Sequence, residues 1–113
     1  MHELGIVFYI IKDVKKAAEE HGVSHVSAVV MDIGEVSTVV PHYLQDCWRW
    51  AADKEEMLTG CELRVNTIPA VTRCDDCHRE YETVRYGKTC PYCQRGNTWL
   101  LRGNEVEIKE IIV

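Results

Sequence analysis

Residues 74–93 read CDDCHREYETVRYGKTCPYC, and this stretch decides how the middle of the chain folds. It contains two Cys-x2-Cys pairs, Cys74/Cys77 and Cys90/Cys93, and twelve residues separate the pairs. Zn²⁺ binds four thiolates tetrahedrally, and a two-residue gap lets both sulfurs of a pair reach one ion from a tight turn. The spacing therefore predicts a structural zinc site. The surrounding lobe has few aliphatic residues, so we expect its folding to depend on the metal.

Two other interpretations of these cysteines remain open on spacing alone. The pairs fit two disulfides, although a Cys pattern in a reducing compartment more often binds metal. The stretch Cys74-Asp75-Asp76-Cys77-His78 also matches the haem-attachment pattern C-x-x-C-H, but that leaves Cys90 and Cys93 without a role. His78 is either a secondary zinc-site residue that replaces a thiolate or a solvated histidine of the hairpin.

Length and charge narrow the class of protein. The chain has 113 residues with 13 basic and 18 acidic side chains, which gives a formal charge of −5. This length predicts one domain with a small satellite, and the acidic balance argues against broad binding to nucleic-acid phosphates. The longest apolar stretch, residues 4–11, is far shorter than the ~20 residues of a membrane-spanning helix. Residues 1–3 lack the basic start of a secretory signal, so we expect a cytoplasmic protein whose true N-terminus is present.

The residues on either side of the cysteine lobe carry the patterns of a small α/β unit. Apolar residues recur at helical spacing over residues 2–20, and Gly22 is the expected C-terminal stop. The run 25–33 is rich in β-branched residues, which predicts a strand buried on both faces. The remaining patterns predict an edge strand over 36–40, a second helix from Pro41 to about Met57, and half-buried strands at 61–65 and 106–109.

These elements predict an α+β fold in which two helices pack on a small three- to four-stranded sheet, with an inserted zinc-ribbon-like lobe that holds the metal on four cysteines. We assign residues 1–68 and 99–113 to the α/β domain and residues 69–98 to the zinc-binding domain. Cys47 and Cys61 fall in apolar patterns, which is typical of buried reduced thiols. The chain shows no nucleophile–base set, phosphate loop or paired carboxylates, so we expect no enzymatic activity.

Met1, His2 and Glu3 form a second candidate metal site. A free amine, the amide nitrogen of His2 and its imidazole make a compact chelate, whose donors lie close to a plane once the amides deprotonate. This arrangement suits ions that favour square-planar nitrogen ligation, such as Ni(II) or Cu(II). The carboxylate or the amide of Glu3 fills a remaining position.

Taken together, these motifs resemble the HypA/HybF family of nickel-incorporation proteins for hydrogenase maturation. The resemblance rests on the opening Met1-His2-Glu3-Leu4, on Ile33-Gly34-Glu35, and on the two cysteine pairs. In some members a histidine follows each pair. Here His78 follows the first pair but Gln94 follows the second, so a mechanism that needs both histidines does not transfer.

The resemblance implies a nickel metallochaperone. It implies Ni(II) carried as cargo by Met1, His2 and Glu3, and a structural Zn(II) held by Cys74, Cys77, Cys90 and Cys93. As partners it implies the GTPase HypB, the large subunit of [NiFe]-hydrogenase and, for some members, urease accessory proteins. Residues 1–68 and 99–113 are then the nickel-binding domain. Monomer and homodimer both stay open.

Two other classes compete with the carrier. A zinc-ribbon adaptor or nucleic-acid-associated regulatory module shares the cysteines but gives Met1 and His2 no role. A thiol redox enzyme needs a Cys with a lowered pKa at a helix start, and neither pair precedes a convincing helix.

Overall fold

The computed structural model describes residues 3–113, so the predicted nickel residues Met1 and His2 lie outside the described part of the chain. The fold has two lobes, each built around a three-stranded sheet. In chain order the elements are α1 (Glu3–Glu20), β1 (Ala28–Gly34), α2 (Pro41–Ala52), a 3₁₀ turn (Glu56–Leu58), β2 (Glu62–Ile68), β3 (Val71–Cys74), β4 (Glu80–Glu82), α3 (Thr83–Tyr86), β5 (Thr98–Arg102) and β6 (Val106–Ile112).

The first helix confirms the periodicity of the opening residues. Its buried side chains lie on one face and are Val7, Ile10, Ile11, Val14 and Ala18. The predicted stop is also confirmed, because Gly22 has a φ of +67° and the N–H of Val23 donates to the carbonyl of Ala18 at 2.8 Å. A left-handed residue with this backward bond is a common way to end a helix, and glycine adopts it without strain.

The first sheet has the strand order β2-β1-β6, in which β1 is parallel to β2 and antiparallel to β6. Helices α1 and α2 pack against one face of this sheet and form the core with it. Trp48 of α2 belongs to this core and is only 1% exposed. The Nε1–H of Trp48 donates to the carbonyl of Cys61 at 2.9 Å, so the buried indole has a partner.

The central strand is largely buried on both faces, as its apolar run predicted, because five of its seven residues are buried and none is exposed. Val29, Met31 and Ile33 are buried towards the helices, whereas the opposite face carries a half-buried Asp32. The register places Asp32 beside Asn66 of β2 and beside Glu107 of β6. The other residues of this second face are Ala28 and Gly34, which are buried, and Val30, which is half-buried.

A bulge in the last strand explains an irregularity in its sequence. Apolar and polar residues alternate up to Lys109 and then lose phase. In the sheet, Val30 pairs with Glu110 but Met31 pairs with Ile108, so Lys109 is an extra residue on β6. A bulge of this kind shifts the side-chain alternation by one position.

One predicted element and one predicted helix end were wrong. Residues 36–40 form a turn instead of an edge strand, because the Val36 N–H donates to the carbonyl of Gly103 and the Ser37 N–H donates back to Gly34. The second helix ends at Ala52 instead of reaching Met57. The chain turns there because Leu58 is fully buried in the core and the carbonyl of Met57 accepts the N–H of Val26.

The second sheet has the order β4-β3-β5 with antiparallel pairing. Strand β5 pairs with β3, so residues 98–102 lie in the sheet of the cysteine lobe, whereas the predicted division placed residues 99–113 together in the first domain. The chain changes sheets at Gly103, between β5 and β6. The molecule is elongated, with extents of 54 × 26 × 16 Å. Within residues 3–113, no helix has both the length and the apolar character needed to cross a bilayer.

Candidate metal centre

The four predicted zinc ligands converge at one point of the second lobe. Within residues 3–113 they are the one group whose ligand atoms could hold a metal ion, and their sulfurs all lie within 4.8 Å of one another. Cys74 and Cys90 are fully buried, while Cys77 and Cys93 are half-buried.

Each cysteine pair folds into the same backbone turn. The carbonyl of Cys74 accepts the N–H of His78 at 2.8 Å, and the Cys74 N–H donates to the carbonyl of Arg79 at 2.9 Å. The second pair repeats this pattern, since the carbonyl of Cys90 accepts the N–H of Gln94 at 2.9 Å and the Cys90 N–H donates to the carbonyl of Arg95 at 2.9 Å. His78 and Gln94 occupy equivalent positions and both have a positive φ, 62° and 65°. Both turns therefore present two sulfurs from a short loop, as a thiolate-bound metal requires.

The distances between sulfurs fit a tetrahedral zinc ion. The Cys74 and Cys93 sulfurs are 3.6 Å apart, and so are those of Cys77 and Cys90. Zinc–sulfur bonds of about 2.3 Å in a tetrahedron place neighbouring sulfurs about 3.8 Å apart. All six cysteines are free thiols in this structure. A metal bound here would crosslink β3, the hairpin and the turn before β5.

Hydrogen bonds and burial shift the pKa values of Cys90 and Cys93 in opposite directions. Desolvation raises the pKa of Cys90, but backbone N–H groups of Cys93 and Tyr92 and the neighbouring thiols outweigh it and lower the pKa to about 7. At Cys93 the Arg95 N–H lowers the pKa, but desolvation and the hydrogen bonds with Cys74, Cys90 and Cys77 raise it to about 12. Without a cation, four adjacent thiols cannot all carry a charge, and a bound Zn²⁺ removes that limit.

Among residues 3–113, the cluster of candidate metal ligands contains the four cysteines and does not include His78. Its side chain is exposed and its Nδ1 lies 3.5 Å from the Nη2 of Arg73. Its left-handed backbone and its N–H bond to Cys74 give it a place in the turn that does not depend on the imidazole. Gln94 holds the same place in the second turn without an imidazole.

The two other cysteines lie in the first lobe. Cys61 is buried, and desolvation together with the nearby Glu62 raises its pKa to about 11. Cys47 is half-buried on α2. Their burial agrees with the expectation of reduced thiols in apolar surroundings.

Of the three predicted nickel residues, Glu3 is the one that the structure describes. It begins α1, and its Oε2 accepts the N–H of Val40 at 3.3 Å. Val40 is the residue immediately before α2. The start of α1 and the start of α2 are therefore neighbours.

A set of backbone contacts that the motifs did not predict joins the metal lobe to the first sheet. At the end of β1, the Gly34 N–H donates to Glu105 at 2.7 Å and the Glu35 N–H donates to Ile68 at 2.9 Å. The Glu35 carboxylate accepts the N–H of Ala70 at 3.0 Å. We call residues 34–36, 68–70 and 103–105 the interlobe junction, because both chain segments that link the lobes meet β1 there.

The junction has no room for side chains at its two glycines. A Cβ on Gly34 would lie 2.0 Å from the carbonyl oxygen of Gly103, and one on Gly103 would lie 2.4 Å from the Cα of Ala70. Gly103 also has a φ of +113°. The Ile33-Gly34-Glu35 motif, on which the family resemblance rests in part, ends β1 and contributes Gly34 and Glu35 to this junction.

Comparison with known proteins identifies the family. A family model described as "Hydrogenase/urease nickel incorporation, metallochaperone, hypA" matches residues 1–113. The chain belongs to the HypA/HybF family. HypA proteins are metallochaperones and maturation factors, which confirms the resemblance and the expectation that the chain is not an enzyme.

Individual relatives cover the whole chain. The hydrogenase maturation factor HypA of Geotalea uraniireducens is 32% identical over 113 residues, covering 100% of this chain and 99% of its own. The hydrogenase maturation factor HybF of Klebsiella pneumoniae is 29% identical over 111 residues, covering 98% and 97%. The solution structure of the Ni metallochaperone HypA from Helicobacter pylori shares the fold, with a TM-score of 0.73 at 19% identity over 99% of this chain and 97% of that one.

Proposed function

We propose that this HypA-family chain is a cytoplasmic nickel metallochaperone that carries Ni(II) as cargo on Met1, His2 and Glu3. It delivers the ion for maturation of [NiFe]-hydrogenase, with a HypB-type GTPase and the hydrogenase large subunit as partners. Urease, through its accessory proteins, is a second recipient. A resident Zn(II) on Cys74, Cys77, Cys90 and Cys93 holds the second lobe in shape.

The match of the nickel-incorporation family over residues 1–113 carries this proposal, because it includes both motifs in one chain. The named activity of two relatives, hydrogenase maturation, supports the same recipient. The H. pylori protein with this fold is named as a Ni metallochaperone.

The chemistry of the cysteine cluster supports a division between resident and cargo metals. Four thiolates fill the tetrahedral shell of a zinc ion, which leaves no position from which an ion passes to a partner. Thiolate ligands from two identical turns also make a rigid site. A cargo ion needs the opposite properties, namely few ligands and an exposed position. The amine, amide and imidazole nitrogens of residues 1–3 supply a small set of donors that suits Ni(II).

A nickel titration tests the proposal directly. Untagged, zinc-loaded protein that begins at Met1 should bind Ni(II), and the variant His2→Ala should lose tight binding because the imidazole donor is gone. One extra residue before Met1 should have the same effect because it displaces the amine. His21→Ala removes an exposed histidine just beyond the opposite end of α1 and is the matched control with unchanged affinity.

The pH dependence of binding supplies a second check. Protons compete for the amine and the imidazole, whose reference pKa values are about 8 and about 6.5, so affinity should fall as the pH drops below neutral. Equal affinities for wild type, His2→Ala and the extended protein would contradict the proposed site.

A further inference from the structure

An open cleft lies between the two helices of the first lobe. Helices α1 and α2 run side by side in the same direction, because Glu3 at the start of α1 meets Val40 at the start of α2. Further along, the Nζ of Lys15 on α1 lies 3.0 Å from a carboxylate oxygen of Glu55, just beyond the end of α2. The cleft between the helices has a volume of about 320 Å³ and is lined by Leu4, Asp46, Cys47 and Trp50.

Apolar side chains recur at helical spacing on both sides of this cleft. Leu4 and Phe8 are four residues apart on α1, and Tyr43, Cys47 and Trp50 follow one another at steps of four and three on α2. Side chains at this spacing lie along one face of a helix. Phe8 is 52% exposed, Trp50 is 55% exposed, and Leu4 and Tyr43 are exposed as well. Two adjacent rows of exposed apolar side chains mark an interaction site, and we call these five residues the helix cleft.

The rim of the helix cleft is basic, although the whole chain is acidic. The charged residues that continue the cleft along α1 are Lys12, Lys15, Lys16, Glu19 and Glu55. On α2, the Nζ of Lys54 lies 3.5 Å from the centre of the Trp50 ring. With Asp46 the rim has four lysines and three acidic side chains, in a chain whose formal charge is −5. Among residues 3–113, Lys12 and Lys16 form no ion pair.

These features favour one kind of occupant. The backbone N–H and C=O groups of α1 and α2 bond within their own helices, so the cleft offers no ladder to an extended strand. A second copy of this chain would bring the same excess of lysines against the rim, and an anionic membrane would repel the net charge of −5. A partner helix, in contrast, packs its ridges into the groove between two helices, and acidic residues on its flanks complement the lysines.

We propose that the helix cleft is a docking site for an amphipathic α-helix of a partner protein. The apolar face of this helix packs on Phe8 and Trp50, and acidic residues beside that face pair with Lys12 and Lys16. The two aromatic rings contribute most of the binding free energy, as buried aromatic anchors do at protein interfaces. The lysines determine which partner binds and in which orientation. Docking needs no bound nickel, so it can be tested separately from the proposed carrier function.

Three synthetic helical peptides are the probes. The first has leucines at i, i+3, i+4 and i+7 spacing with glutamates beside them, and the second has lysines in place of the glutamates. The third has the composition of the first, with the leucines dispersed around the helix. Isothermal titration calorimetry of zinc-loaded, nickel-free protein should show that the first peptide binds about tenfold more tightly than the second. The third peptide should not bind, and about 1 M salt should reduce the difference between the first two.

Substitutions in the helix cleft and on its rim separate the apolar contribution from the charge. Phe8→Ala and Trp50→Ala should each weaken binding of the first peptide about 30-fold, the loss typical of a hot-spot aromatic side chain. Tyr9→Ala removes an exposed aromatic on another face of α1, beside β6, and is the matched control with affinity within about twofold of wild type. The double variant Lys12→Glu with Lys16→Glu should reverse the preference, so that the second peptide binds more tightly than the first. All five side chains are exposed, so the variants should keep the wild-type far-UV circular dichroism spectrum.

Four results would overturn the inference. Wild-type protein that does not bind the first peptide, or binding that Phe8→Ala and Trp50→Ala leave unchanged, would show that the cleft is not a docking site for a helix. Equal affinities for the first two peptides at low salt would exclude an acidic partner. A dimer in sedimentation velocity that dissociates in Phe8→Ala would show that a second copy covers the cleft. Flotation with phosphatidylglycerol vesicles that is lost in Trp50→Ala would show a membrane-binding surface. None of these results changes the outcome of the nickel titration.

Discussion

Removal of the Glu35 carboxylate should weaken the interlobe junction by a predictable amount. Ala70 is 2% exposed, so water has little access to its N–H, and that N–H donates to Glu35 Oε1 at 3.0 Å. A buried donor left unpaired costs about 1–3 kcal/mol. Because the Glu35 side chain is itself exposed, its charge adds little, and we expect Glu35→Ala to destabilise the fold by about 1.5–2 kcal/mol.

Urea unfolding of the zinc-saturated protein, followed by far-UV circular dichroism, measures this loss. Glu35→Gln keeps an acceptor oxygen and should fall within about 0.5 kcal/mol of wild type. Glu107→Ala removes an exposed glutamate of β6 and is the matched control for the loss of a surface charge. If Glu35→Ala unfolded at the same urea concentration as Glu107→Ala, the hydrogen bond to Ala70 would not hold the junction and our account of it would be wrong.

Three further predictions address the core and the metal lobe. Removal of zinc by a strong chelator should abolish amide protection in β3–β5 and preserve it in β1 and β2, because among residues 3–113 the core of the second lobe consists of Tyr81 and the four cysteines. Loss of protection in both sheets would contradict this prediction. At pH 8, iodoacetamide should react about 100-fold more slowly with Cys61 in the folded protein than in urea-unfolded protein, because burial and the nearby Glu62 raise its pKa from 9.0 to about 11. Mass spectrometry of the labelled peptide measures the ratio, and equal rates would contradict the burial of this thiol. The unfolded thiol ionises first as the pH rises, so Cys61 should also lower the free energy of unfolding between about pH 9 and pH 11. Trp48→Phe leaves the buried Cys61 carbonyl without its donor and should cost about 1–3 kcal/mol in urea unfolding, whereas Trp50→Phe, at a side chain 55% exposed, should cost under about 0.5 kcal/mol.

The features that the sequence predicted correctly are the local ones. Each Cys-x2-Cys pair folds into a turn that depends on a few consecutive residues, so its spacing predicted the turn. The four sulfurs of the two turns meet, as the prediction of a zinc site requires. Helix α1 follows from its periodicity, and its end follows from Gly22. The alternation that predicted the last strand holds up to Lys109, where the register shows a bulge that the pattern alone did not predict.

The errors concern contacts between distant parts of the chain. Residues 36–40 have strand composition, but the carbonyl of Gly103 takes the N–H of Val36 and holds them in a turn. The pairing of β5 with β3 is also long-range, and the residues of β5 alone did not indicate it. The same holds for the hydrogen bond from the Val40 N–H to the Glu3 carboxylate, which no local pattern predicted.

The central claim is that one metal stays with the chain while another is carried and released. Zinc and nickel should therefore be measured per chain by elemental analysis after untagged protein beginning at Met1 is loaded with both and challenged with a chelator over a time course. We predict that nickel leaves early in the time course while zinc remains at one ion per chain. Nickel that is retained as long as zinc, or is never bound, would contradict the account.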